Sequence, residues 1–545
     1  MKKILSFTMG ILLIPVLMFA QNVGDAEELI YYKRYTGAQQ MLNGIVSREP
    51  ANAEAWYWLA QAYIHDDSTS AITDLVQRAP ENIHNEPYFQ VARGHLLLTQ
   101  HKKDSANLLF EQAVKKTRSK DAGILAAVAR AHISTPAGDG QAALDMLKKA
   151  IKRDKKNPAL YTLMGDAHRK MGNGEEAYKA YNQALSKNAA YAAAHYKIGK
   201  IFASQNNPSV YLKYFVQAID ADPKYAPALY DLYYHYYFTD ANKAMAYFNR
   251  YIANSDREPE NDYRYTDLLY LTKKYEEAID KAQQLLSQPQ ADTITRLHKL
   301  LAYSYLGLND TANAISSMNN YFSYEADSNL VAKDFETMAT LYETMDGAED
   351  SVLVNYEKAA AITNDTMARY TYYRKIADLY KERDDFASQA YWLGKVYENN
   401  DRASNLDLFN WGVAHFKAEQ YKEADTVFGR YIEKYPDQGF GYYWRARTNA
   451  LRDSSMQEGL AIPYYDQLID VIEEKDTITS THKKWLVQAY GYKAAWETNE
   501  QNDYAAAIEN LNKVLEIDPA NDDARRYIAI LEKKVSAGAE SEGKN

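Results

Sequence analysis

A spacing of 34 residues recurs in this chain and restricts its fold more than any other feature. Met164-Gly165 returns as Ile198-Gly199, Tyr181 as Phe215 and Ala184 as Ala218, each 34 residues on. A fixed period of this length marks a repeat array in which every unit is one supersecondary structure. Within a unit the apolar residues return every three or four positions, which is the helical period. Short polar breaks, Lys170-Met171-Gly172-Asn173-Gly174 and Ser204-Gln205-Asn206-Asn207-Pro208, separate one helical stretch from the next. Each unit is therefore expected to be a helical hairpin. A single hairpin cannot bury its apolar face alone, so neighbours must stack into a continuous core.

Two sets of landmarks sharpen this. In the first helix of a unit an aromatic is followed by a large apolar residue, a small one and a second aromatic: Trp56, Leu59, Ala60, Tyr63, and again Leu408, Trp411, Gly412, His415, with His in the last slot. In the second helix a small residue precedes a bulky one and a further contact, often with a proline beyond: Ala177-Tyr181-Ala184, Ala424-Phe428-Tyr431-Pro436, Ala507-Leu511-Val514-Pro519 and Ala38-Leu42-Ile45-Pro50. Gly94-Leu97 with Ala106-Phe110-Ala113 follows the same scheme. At these residues the sequence resembles the tetratricopeptide repeat family. The resemblance implies an all-α fold, a right-handed α-solenoid of stacked helix-turn-helix hairpins. Gly165 and Gly199 would allow close helix approach, Tyr181 and Phe215 would fill the gap to the next hairpin, and Pro50, Pro223 and Pro436 would end helices.

Fourteen units fit between residues 21 and 520. Residues 521–535 form a capping helix with Tyr527, Ile528 and Leu531 facing back, and 536–545 read as a polar, disordered tail. Tyr233 and Thr266 occupy slots that want a small residue, and the polar stretch 254–259 lies close by. These departures place a break between an N-terminal array, 21–257, and a C-terminal array, 258–520; one continuous superhelix is the alternative. Asp346 to Asp350 widens the turn of the tenth unit, and Pro463 falls in the first turn of a helix.

Residues 1–20 read as an export signal: Lys2-Lys3, an apolar run from Ile4 to Ala20 interrupted by Pro15, then polar Gln21-Asn22. The run is short for a spanning helix. A signal cleaved after Ala20 and a retained anchor are both compatible with it. Position 21 is Gln, so no lipobox cysteine follows, and the mature chain is expected to be exported, soluble and periplasmic. No later run could span a membrane.

Composition then removes whole classes of function. The chain has no cysteine, which excludes disulfides, thiolate metal sites and thiol nucleophiles. Its formal net charge of −10 disfavours nucleic acid as a partner. Phosphate-binding, dinucleotide-binding, zinc-protease, EF-hand and nucleophile-elbow motifs are absent from the sequence. The 11 histidines are scattered, and His168 and His415 sit where an aromatic packs. No catalytic residue, cofactor or metal is expected; what remains is binding.

In a solenoid the extended concave surface is the usual working face, and in the family resembled it is lined by first helices. The residues expected there are Tyr57, Trp58, Tyr196, Lys200, Tyr230, Tyr234, Tyr237, Tyr263, Tyr270, Tyr303, Phe409, Phe416, Tyr443, Tyr492 and Trp496. Tyr230, Tyr234 and Tyr237 share one helix face by their spacing of four and three. With 48 tyrosines in the chain, the competing reading of each is a packing ring with its hydroxyl at the rim. Some relatives clamp the C-terminal carboxylate of chaperone tails with Lys and Asn on successive first helices. Lys200 and Lys299 have suitable slots here, but the rest of that set does not follow them. The function expected is a non-enzymatic protein-protein interaction scaffold of the bacterial cell envelope, holding an envelope protein or extended peptide; the alternative is a carbohydrate-binding module stacking sugars on Tyr and Trp.

Overall fold

The structure is a computed structural model that describes residues 22–65, 69–288, 294–398, 400 and 402–542. The signal expected at 1–20 and the last residues of the tail lie outside the described residues. Regular structure among the described residues is helical throughout, with no strand. The chain is an all-α solenoid of stacked helical hairpins, as the period requires.

The molecule divides after Leu308 into two compact units. The first contains eight hairpins, from Val23–Tyr31 with Tyr35–Arg48 through to Pro259–Leu271 with Tyr275–Leu286, followed by the helix Thr295–Gly307. The second opens with the helix Thr311–Tyr324 and continues through five hairpins to Ser480–Trp496 with Tyr504–Ile517. Its last helix is Asp522–Glu542. The polar stretch 254–259 lies inside the first unit, where the helices Ala241–Asn254 and Pro259–Leu271 pack on each other. The last helix extends beyond residue 535, through a stretch of Ala, Ser and Glu in which helix-forming residues predominate. Ala524 and Leu531 are buried under it, whereas Tyr527 is half exposed.

Inside a hairpin the two helices are locked by a glycine and a ring. A Cβ on Gly199 or Gly412 would come within 2.6 Å of a ring carbon of Phe215 or Phe428, and on Gly94 or Gly165 closer still to Phe110 or Tyr181. The ring therefore lies directly against the glycine of its own hairpin. Where the slot holds Tyr233 instead, that ring meets Phe248 at 4.6 Å, with the planes tilted by 47°. Thr266 turns its hydroxyl back to the Asp262 carbonyl at 2.8 Å and stays buried. Pro463 occupies the first turn of Ile462–Glu473, where no backbone donor is required.

In most hairpins the turn between the helices holds one residue in the left-handed region. Gly172 fills it at φ +78°, but Lys33, His101, Lys273 and Glu419 do so at about 60°. The next amide then bonds back into the last helical turn, as Arg34 does to Leu29 at 2.8 Å and Asn173 to His168 at 2.9 Å.

Several tyrosines combine a packed ring with a hydroxyl at the rim that donates to a carboxylate. Tyr181 bonds Asp166 at 2.7 Å, Tyr356 bonds Glu343 at 2.6 Å, and Tyr490 bonds Glu473 at 2.7 Å. Burying the ring and satisfying the oxygen at the edge of the core is what this side chain does better than Phe.

Candidate functional site

In the first unit the chain closes on itself. Tyr31, at the end of the first helix, packs its ring 5.1 Å from Tyr225 and 5.8 Å from Tyr191, and its hydroxyl accepts from the Ala193 amide at 3.2 Å. Asp256, just after the seventh hairpin, accepts from the amides of Thr36 at 2.8 Å and Gly37 at 3.3 Å, capping the second helix of the first hairpin. Arg34 lies 3.7 Å from the same carboxylate. Gly37 permits the approach, since a Cβ there would stand 3.2 Å from the Asp256 oxygen. The first hairpin is thus docked on the sixth and seventh hairpins and on the stretch that follows the seventh. Removing a capping carboxylate costs about 1–2 kcal/mol. Asp256→Ala should accordingly accelerate amide exchange at Thr36 and Gly37 by about tenfold, and unchanged exchange there would show that the carboxylate does not hold the hairpin.

This closure leaves an open cavity of about 340 Å³. Three of the residues expected at the binding face line it: Tyr196 and Lys200 from Ala192–Ser204, and Tyr230 from Ala226–Tyr236. Lys33, Asp231, Tyr251, Asp256 and Arg264 complete most of the wall. Lys200 pairs with Asp231 at 2.9 Å, and Lys197 behind it pairs with Asp166 at 2.7 Å. The Arg264 guanidinium lies 5.7 Å from the Tyr230 ring centre, while Tyr251 stands 5.1 Å away from that ring. Burial, followed by the Asp231 carboxylate, raises the pKa of the Tyr196 phenol and keeps it a donor. The Lys33 ammonium stands 5.8 Å from the Tyr196 ring centre, as does that of Lys200, and makes no ion pair among the described residues. Desolvation, then Lys197 and Lys200, lower its pKa, against the opposing pull of Asp231.

The other expected residues divide. Tyr57 is fully buried and Trp58 is 8% exposed, because Arg130 covers both. Its guanidinium donates to the Tyr57 hydroxyl at 2.8 Å and lies 4.6 Å over the indole. Neither ring faces solvent. The face shared by Tyr230, Tyr234 and Tyr237 splits in function: Tyr230 lines the cavity, Tyr234 is 60% exposed beside Phe238, and Tyr237 donates to Asp267 at 3.4 Å. Tyr263 is half buried against the core. Tyr270 and Tyr303 stack on each other at 6.1 Å.

In the second unit, first helices of three successive hairpins, Asn405–Lys417, Gly439–Arg452 and Ser480–Trp496, bring Phe409, Phe416 and Tyr443 into one aromatic row. Trp444 joins Phe416 at 5.1 Å and Phe409 at 6.1 Å, and Tyr443 stacks on Trp485 at 4.7 Å. The Arg447 guanidinium rests on this bed, 4.8 Å from Trp444, 5.3 Å from Phe416 and 5.5 Å from Tyr443, with no ion pair among the described residues. Tyr492 packs on Tyr465 at 5.0 Å, and Trp496 packs over Gly459, away from the row. Sequence reasoning missed Lys33, Asp256, Arg264, Trp444 and Arg447. Lys33 carries no signal except its place in a hairpin turn, while Arg447, four residues from Tyr443, was open to the same helical-face argument. Among the described residues no group of three or more His, Asp or Glu could hold a metal ion, and no helix is long and apolar enough to cross a membrane.

Family models of the tetratricopeptide repeat match residues 26–86, 137–208, 408–437 and 492–521. Among solved structures, the chain is similar to the C-terminal part of a TPR repeat-containing protein from Cytophaga hutchinsonii, at 25% identity and a TM-score of 0.31, over 49% of this chain and 99% of that one. A tetratricopeptide repeat protein from Parabacteroides merdae matches at 18% identity and a TM-score of 0.28, over 48% and 98%. A thermophilic TPR protein from Thermus thermophilus matches at 20% and 0.27, over 34% and 99%. No curated protein matches the chain.

Proposed function

We propose that this array of tetratricopeptide repeats is a non-enzymatic scaffold of the bacterial cell envelope, holding a partner protein or an extended peptide along its first helices. The observation that carries this reading is the aromatic row under Arg447. It runs over three successive hairpins, as an extended segment would, and presents a guanidinium whose donors no described side chain satisfies. Aromatic rings and Arg supply large contact area and directional hydrogen bonds at modest entropic cost, which is why they dominate binding hot spots. The export signal read at residues 1–20 supports the compartment, and the acidic charge of −10 supports a protein over a nucleic acid.

The test is affinity capture of the tagged full-length protein from crosslinked envelope fractions, beside a Phe440→Ser/Arg447→Ser variant. Phe440 belongs to the same row, 5.7 Å from Phe409 and 4.9 Å from Trp485; it is 45% exposed and Arg447 is unpaired, so the variant should fold. A discrete envelope protein recovered by the native chain and reduced at least tenfold by the variant is the expected result. Recovery of glycan alone would transfer the case to carbohydrate binding. A partner retained by the variant would remove this row from the reading.

A further inference from the structure

The cavity under the first hairpin is independent of the aromatic row and has features of its own. At about 340 Å³ it falls in the size range of small-molecule sites and is too small for a folded partner. Its walls come from hairpins far apart in sequence: Lys33 from the first turn, Tyr196 and Lys200 from the sixth hairpin, Tyr230 from the seventh and Arg264 from the eighth. Charges within it are paired with one exception. Lys200 has Asp231, Arg264 has Asn261 at 2.9 Å and Glu258 at 4.0 Å, and Asp256 is taken by Arg34 and two backbone amides. Lys33 alone makes no ion pair: it lies by the face of Tyr196, feels Asp231 only at a distance, since that carboxylate is already taken by Lys200, and is repelled by Lys197 and Lys200. An ammonium so placed has no anion in direct contact.

We propose that this cavity binds a small organic acid, its carboxylate or other oxyanion pairing with Lys33 and its body lying against the rings of Tyr196 and Tyr230. Because Lys33 belongs to the first hairpin and the remaining wall to the sixth, seventh and eighth, the ligand bridges the closure. A molecule that binds only the closed form favours it by a factor of 1 + [L]/Kd, about a hundredfold at a concentration of 100 Kd. Occupancy and closure are therefore one equilibrium, and the ligand should protect the Thr36 amide, whose acceptor is Asp256 across the joint.

The experiment uses the full chain and three probes: N-acetylphenylalanine, its neutral amide, and inorganic phosphate. The readouts are titration calorimetry and exchange of the amides at residues 30–37. The acid should bind and slow exchange at Thr36, the amide should bind at least tenfold more weakly, and phosphate should fall between them. Lys33→Gln should reduce the acid to the level of the amide with the melting temperature unchanged, since the ammonium has no ion pair to lose. Lys33→Arg should restore binding. Equal affinity for acid and amide, or no binding of either anion, would overturn the proposal. Phosphate binding as tightly as the acid would overturn the part assigned to the rings. Acid binding without slower exchange at Thr36 would overturn the coupling to closure.

Discussion

Phe428→Ala should destabilise the hairpin of Asn405–Lys417 and Tyr421–Lys434 by about 3–5 kcal/mol, the range for emptying a fully buried aromatic site. Phe428 is fully buried, lies over Gly412 and stacks with Trp444 at 6.0 Å with 21° between the planes. In a repeat array the loss falls mainly on the altered unit and its neighbours. Amide exchange over residues 405–452 is therefore the measurement, not a single global melting temperature. Gly412→Ala on its own should cost about 1–3 kcal/mol, because its methyl must displace the ring. Combined with Phe428→Ala it should cost nearly nothing more, since the methyl then enters the space the ring has left. Strictly additive losses would mean that ring and glycine do not share one contact. Trp444 also loses its support, so the variant should weaken any binding at the aromatic row, as proposed above, even where the hairpin stays folded.

Acidification from pH 7 to pH 5 should cost the first unit about 2 kcal/mol through His95 alone. His95 is buried, its Nδ1 3.1 Å from the Gln61 amide nitrogen and its Nε2 3.1 Å from the Ser134 hydroxyl. Ser134 gives its proton to the Arg130 carbonyl, so Nε2–H donates to Ser134 and Nδ1 accepts from Gln61. The neutral ring is satisfied and a second proton has no place. Burial, and then the nearby His65, Arg130 and His132, lower its pKa to about 3. The unfolded chain takes up a proton below pH 6.5 and the folded chain does not, so stability falls with pH between 6.5 and 3. His95→Gln removes this titration. Exchange of the 87–99 and 122–134 amides should lose stability between pH 7 and 5 in the native protein, by about 2 kcal/mol more than in the variant. Equal slopes would show that His95 is protonated in the fold.

Much of the fold was legible because packing between neighbours repeats. Gly165 with Tyr181, and Gly199 with Phe215, recur because every hairpin solves the same crowding between its two helices. The turns were less legible: the left-handed residue is Lys33, His101, Lys273 or Glu419 as well as glycine, and only the backbone distinguishes them. The candidate sites were legible in part. Tyr196, Lys200 and Tyr230 were found from helix phase, and the structure gathers them in one cavity. Tyr57 has the phase of Tyr196 and Tyr230 but is covered by Arg130, 73 residues further along. Helix phase reports which side of a helix a residue occupies and nothing of what another part of the chain lays over it.

The sequence by itself determined the hairpin, its period and the rings that lock it, since these depend on residues within one or two repeats. Tertiary structure alone decided that the first hairpin docks on the sixth and seventh, that Asp256 caps a helix 220 residues before it, and that Lys33 is left without an ion pair. Closure of this kind follows from the small rotation between neighbouring repeats, added over several of them. No single repeat encodes that sum, so the residues that meet across the joint carry no shared spacing by which they could be found.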